Sequence, residues 1–268
     1  TADGRRILTA DEGEPREGYG KNTTDPKGSI TIIDLAADTV SQADFTAYDT
    51  LQGRQKLVDQ GIVLKKDTDP SVDLEPEYIA VGGSNAYVTL QEANAIAVVD
   101  ITTAEVTGIY SAGYEDYSKV AVDIDKKDES YNPKTYASLK GIRMPDSIAY
   151  YSVNGVEYLV TANEGDAREW GSYSNENERN FGKGKTSPTG QITAENSGLS
   201  GKVVFFDTTD YDGVDGNATD YLFGGRSFTI YSVSADGIRE VYDSGNDFES
   251  KTAAYLPEYF NCSNDDVS

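Results

Sequence analysis

Leu159-Val160-Thr161-Ala162-Asn163-Glu164-Gly165 is a short apolar run closed by a glutamate, and the chain carries the same pattern twice more, as Ile7-Leu8-Thr9-Ala10-Asp11-Glu12-Gly13 and Tyr87-Val88-Thr89-Leu90-Gln91-Glu92-Ala93. Each copy is followed by a second apolar run that ends in aspartate: Ile30-Thr31-Ile32-Ile33-Asp34, Ile96-Ala97-Val98-Val99-Asp100 and Val203-Val204-Phe205-Phe206-Asp207. Two copies are preceded by a further strand, Pro76-Glu77-Tyr78-Ile79-Ala80-Val81 and Pro145-Asp146-Ser147-Ile148-Ala149-Tyr150. Tight turns follow at Gly82-Gly83-Ser84-Asn85 and Val153-Asn154-Gly155. Strand groups repeated at long period predict an all-β chain built as a β-propeller.

The glutamates that close the runs stand at 12, 92 and 164, intervals of 80 and 72 residues. Compact blades repeat every ~40–50 residues. Insertions at about 41–74, 111–142 and 166–201 account for the excess, leaving units at 1–50, 75–115, 144–224 and 226–268. Thr1-Ala2-Asp3-Gly4 reads as the turn between a first and second strand, while Arg226–Tyr231 and Glu240–Asp243 read as the start of an uncompleted fourth unit. The expectation is a single propeller domain truncated at both ends, three to four blades of a ring of about seven. The remaining blades would come from the same precursor, from another chain or from a homo-oligomer, because open strand edges invite pairing. Gly53 interrupts the one helix candidate, Leu51–Val58, and limits it to a short helical turn.

Lysine and arginine number 23 against 46 aspartates and glutamates, a net charge of −23. Such a surface repels phosphate backbones, which argues against a nucleic-acid partner. It suits hard divalent cations, or serves solubility alone. No run approaches the ~20 apolar residues that cross a bilayer as a helix. Cys262 is the single cysteine, so no disulfide forms within the chain. Asn22, Asn217 and Asn261 each begin an Asn-x-Ser/Thr sequon in turn-rich surroundings and are candidate glycosylation sites.

Antiparallel alternation puts the start of a first strand and the end of a second strand at the same edge of a blade. Glu75, Glu77 and Asp146 occupy the first position, and Asp11, Glu12, Glu92, Glu164 and Asp166 the second, so these carboxylates should crowd one face. Close like charges raise one another's pKa or recruit a cation, and many oxygen ligands favour Ca²⁺. The plainer alternative is a set of solvated loop carboxylates beside Arg5, Arg143 and Arg168. Asp210, Asp212 and Asp215 form a second candidate calcium loop, although their spacing misses the EF-hand pattern and fits a metal-free turn equally well.

With no histidine in the chain, a Ser-His-Asp triad and histidine-bound zinc are excluded within it. Cys262 lacks a histidine partner, and no catalytic or organic-cofactor residue stands out. Trp170, Tyr173 and Phe181 could stack on a sugar or pack into the fold.

Leu74–Val81, Ala86–Glu92, Leu159–Glu169 and Phe223–Phe228, together with Asp243-Ser244-Gly245 and Tyr259-Phe260-Asn261, resemble the choice-of-anchor I family. That family includes a mesenchyme-specific cell surface glycoprotein and secreted bacterial proteins labelled alkaline phosphatase-like. The resemblance implies a secreted or cell-surface β-propeller, more a structural or adhesive module of an extracellular assembly than an enzyme, with protein or glycan partners. A metal-dependent phosphoesterase is the alternative it carries.

Overall fold

A computed structural model describes residues 1–13, 24–125, 130–168, 186–199 and 203–260, and the backbone of 178–180. β1 (Arg6–Asp11), β2 (Ser29–Asp34) and β3 (Thr39–Asp44) form a first antiparallel sheet. α1 (Leu51–Asp59), β4 (Leu64–Lys65) and α2 (Pro70–Asp73) lead to a second, the meander β5 (Ile79–Gly82), β6 (Asn85–Leu90), β7 (Ala95–Asp100) and β8 (Glu105–Ser111). After β9 (Tyr114–Asp116) and β10 (Leu139–Ile142) come β11 (Pro145–Val153) and β12 (Val156–Asn163). Next are β13 (Glu178–Asn180), α3 (Ala194–Ser197), β14 (Val204–Phe206), β15 (Tyr211–Asp212) and β16 (Asp220–Phe223). β17 (Ser227–Ser234) and β18 (Gly237–Asp243) complete the third sheet, ordered β11-β12-β17-β18, and α4 (Asp247–Tyr255) follows. The protein is thus mostly β, in several small sheets, none of which closes on itself among the described residues.

The three larger sheets stack. β1 and β3 pack on β5 and β8, while β11 packs on β5 and β6, and β18 on β8. The second sheet therefore lies between the first and third, and its residues alternate between two interfaces. Ala86, Val88, Leu90, Ala95, Ala97 and Val99 face Ile30, Ile32 and Ala43 of the first sheet. Tyr87 and Ile96 face Leu159, Tyr231, Ile148 and Tyr150 of the third, and the Tyr87 and Tyr150 rings stack at 6.0 Å and 6°. This double coverage explains why β6 is buried almost end to end; each fully buried valine or leucine contributes roughly 1.5–3 kcal/mol. The two flanking sheets each keep a face open, with Ile7 and Val40 exposed on one and Tyr151, Val153 and Val156 on the other.

Three expectations are corrected. Val203–Asp207 was expected to pair beside the run ending at Glu164, but β12 pairs with β17 over Glu157–Asn163, and β14 pairs with β13 instead. The segments expected to open a fourth unit, Arg226–Tyr231 and Glu240–Asp243, are the last two strands of the third sheet. The Leu51–Val58 region is a nine-residue helix, not a short turn. The Thr50 side chain caps it by accepting from the Gly53 amide at 3.0 Å, and Leu57 anchors it in the core. Gly53 is there for contact: a Cβ would lie 2.8 Å from the Tyr48 Cα.

Candidate functional site

Strand register brings part of the expected carboxylate set, Glu77, Glu92, Glu12, Asp146 and Asp166, into one another's field. The Glu77 amide donates to the Thr89 carbonyl at 3.1 Å, and the Tyr78 amide to Thr89 Oγ1 at 3.0 Å. These bonds set Glu77 across from the end of β6, beside Gln91 and Glu92. In the third sheet Pro145 pairs with Asn163, which puts Asp146 beside the end of β12, just before the Glu164–Asp166 turn. That turn crosses another backbone so closely that both partners are glycine. A Cβ on Gly165 would lie 2.0 Å from the Gly224 nitrogen, and one on Gly224 would lie 1.8 Å from the Glu164 carbonyl oxygen. Both residues have positive φ, +88° and +75°, which glycine adopts without the Cβ penalty.

The gathered charges act on one another. Burial first, then the carboxylates of Glu92, Glu12, Asp146 and Asp166, push the Glu77 carboxyl up to about 9. The Glu92 carboxyl is pushed up to about 7, again chiefly by burial, with Arg168 opposing and Asp166 and Glu12 adding to the rise. The buried Gln91 amide lies against Glu77; with its nitrogen turned to the carboxyl it donates to Oε1 at 3.1 Å and Oε2 at 3.0 Å. Among the described residues no basic side chain forms an ion pair with Glu77 or Glu92. This arrangement holds a proton near neutral pH, or favours a cation from solution.

Two buried arginines frame this end. Arg168 grips Asp73 with two contacts, Nε to Oδ1 at 2.8 Å and Nη2 to Oδ2 at 3.1 Å. It also donates to the Glu92 and Val63 carbonyls and lies 4.9 Å from the Tyr211 ring centre. Arg143 meets three carboxylates: Glu115 at 2.9 Å, Glu240 at 2.6 Å and Asp243 at 3.5 Å. One guanidinium does not offset them all, and burial and Asp243 push Glu115 up to about 7.

The other expected residues are placed as follows. Glu12 and Asp166 are exposed, and Asp146 and Glu75 are half-buried. Glu164 is exposed and lines a pocket beside α4. Asp11 turns into the open face of the first sheet, where it accepts from Ser29, Thr31 and Thr9. The second acidic cluster is tied into local structure: Asp212 pairs with Arg54 at 2.9 Å, the Asp210 carbonyl accepts from Lys66, and Asp215 accepts from the Asn217 amide at 3.0 Å. Among the described residues, no three of these carboxylates stand close enough together to hold a metal ion as placed. Arg5 pairs loosely with Asp3 at 3.8 Å. Asn22, Asn261, Cys262, Trp170, Tyr173 and Phe181 lie outside the described residues. Sequence reasoning missed Asp73, Gln91 and Glu115. Gln91 was visible inside the repeat itself, whereas Asp73 and Glu115 sit in or beside insertions that carry no local signal.

Stacked antiparallel sheets with an acidic end define a class of β-rich, anionic domain. The chain belongs to the choice-of-anchor I domain family, whose profile matches residues 1–268. No curated protein matches. Among solved structures, Kuenenia stuttgartiensis hydrazine synthase is similar at 12% identity and a TM-score of 0.20, over 80% of this chain and 59% of that chain. A likeness that low says nothing about fold or activity. Choice-of-anchor membership fits a surface- or anchor-related role, and no helix among the described residues is long and apolar enough to cross a membrane.

Proposed function

We propose that this chain is part of a β-propeller in a secreted or cell-surface protein, where it serves as a structural or adhesive module, and that its acidic end binds Ca²⁺. The observation that carries the reading is the Glu77–Glu92 pair, raised by burial and by neighbouring carboxylates, a rise that Arg168 only partly opposes at Glu92. A cation with several oxygen ligands would relieve that repulsion, given side-chain movement that brings Glu12, Asp146 or Asp166 inward. The propeller reading is supported by the stack of three sheets and by the open apolar faces on its two flanks. Further sheets, from the same precursor or another chain, would cover those faces as the flanking sheets cover the second.

Calcium titration at neutral pH tests the reading. Binding in the range of extracellular modules, roughly 10⁻⁴–10⁻³ M, with a rise in Tm, is expected for the natural sequence and is weakened in Glu77→Gln. Heat and Tm unchanged by Ca²⁺ at several millimolar would refute the calcium part and leave the surface-module part standing on family membership.

A further inference from the structure

A pocket of about 360 Å³ opens where the central strands β12 and β17 of the third sheet end against α4. Its volume is at the lower end of the roughly 300–1,000 Å³ typical of small-ligand sites. Phe248, Phe260 and Ala162 supply apolar wall, and Glu164, Glu249, Arg226 and Thr252 supply polar groups. The walls are braced from behind. The Phe248 ring meets Phe228 at 5.9 Å and 65°, and the Phe260 ring meets Tyr131 at 5.2 Å and 74°.

Arg226 is the informative residue. Its Nη2 lies 2.8 Å from Oε1 of Glu249, whose side chain is only 4% exposed against 36% for Arg226. Among the described residues Glu249 Oε1 nevertheless accepts no hydrogen bond, so the contact is an ion pair out of line for donation, and the guanidinium keeps donors for the pocket. Arg226 also has a φ of 54°, a backbone region sparsely populated by long side chains and found disproportionately at ligand sites. Its amide is fixed to the Asn163 carbonyl at 3.1 Å.

Charge and shape select the ligand class. Arg226 and Glu249 pair with each other, so an anion would meet Glu164 and the field of a chain carrying −23, and a cation would have to compete with Arg226 for the carboxylates. An extended peptide would find no free strand edge, because β12 and β17 are both central in their sheet. What remains is a neutral molecule with an apolar face for the phenyl rings and hydroxyls that donate to a carboxylate and accept from a guanidinium. We propose that this pocket binds a neutral sugar unit of a glycan, stacked on Phe248 and Phe260 and hydrogen-bonded by Arg226, Glu164 and Thr252. The inference does not rest on the acidic end, although glycan binding would give the surface module a partner.

Saturation-transfer NMR with the methyl glycosides of glucose, galactose, mannose and N-acetylglucosamine tests it. At least one should bind with a Kd on the order of 1 mM, as expected of a single small ligand in a shallow site. Phe248→Ala or Thr252→Val, the latter preserving shape while removing the hydroxyl, should weaken that binding about fivefold or more, with unchanged circular dichroism. Transfer from none of the four sugars, or binding unaltered in both variants, would overturn the proposal. Neither substitution touches Glu77 or Glu92, so that result would leave the calcium reading intact.

Discussion

Asp73 and Glu77 stand four residues apart and lie in opposite electrostatic surroundings. Asp73 is held by Nε and Nη2 of the Arg168 guanidinium and by the Lys65 amide at 2.7 Å. Glu77 has the Gln91 amide and four carboxylate neighbours, and its carboxyl is pushed far up. The difference separates two uses of a buried acid. A carboxylate whose charge is met by a fork of donors ties an insertion to the sheet stack, and its worth is structural. One surrounded by like charge costs stability at neutral pH, a cost that makes sense where a proton or cation is to be held.

The largest effect should come from breaking the compensated side. Arg168→Met leaves Asp73 as a buried charge without its partner and frees two carbonyls, so urea unfolding should show a loss of about 3–5 kcal/mol. Adding Asp73→Asn should recover part of that loss by removing the stranded charge. A near-neutral Arg168→Met would mean that Asp73 finds its compensation elsewhere, and the contrast with Glu77 would fail.

Glu77→Gln sharpens the other side and should have a smaller effect of opposite sign. A carboxyl whose folded pKa is raised binds its proton more tightly in the folded state, so its contribution to stability is fully present below its ordinary value. That contribution is lost as pH rises toward about 9. The natural protein should therefore lose thermal stability between about pH 4.5 and 9. In Glu77→Gln that slope should flatten, and Tm at pH 8 should rise by about 2–4 °C for each kcal/mol of repulsion relieved. Identical Tm–pH curves for the two proteins would place the strain outside Glu77.

How much of this was legible follows from the same residues. The convergence of Glu77, Glu92, Glu12, Asp146 and Asp166 could be read from strand alternation, because it depends only on local repeats and antiparallel parity. The partner of β12 could not. Val203–Asp207 and Ser227–Tyr231 both read as apolar strands, and the choice is made by tertiary contacts. Asn163 donates to Ser227 Oγ at 2.9 Å and Thr229 Oγ1 at 2.7 Å, and Tyr231 joins the cluster around Tyr87. The cations were visible as arginines but not as partnerships: Glu115 lies in β9 and Asp73 in α2, within or beside long insertions whose path no periodicity describes. The nine-residue α1 was hidden for a related reason, since Gly53 lowers helix propensity and is explained only by the approach of Tyr48.

The smallest effect tests whether surplus acid around a buried arginine is itself structural. Arg143 touches Glu115, Glu240 and Asp243, but the Glu240 side chain is 46% exposed while those of Glu115 and Asp243 are 5% and 10% exposed. Water screens the Glu240 charge, and glutamine keeps an oxygen to accept from Arg143 Nη1, so Glu240→Gln should change unfolding free energy by about 0–1 kcal/mol. Two carboxylates would still face the guanidinium. A loss several times larger would show that Arg143 needs all three, placing this centre with Asp73 and Arg168 as a matched structural set. A gain would place it with Glu77, where removing an acid relieves repulsion.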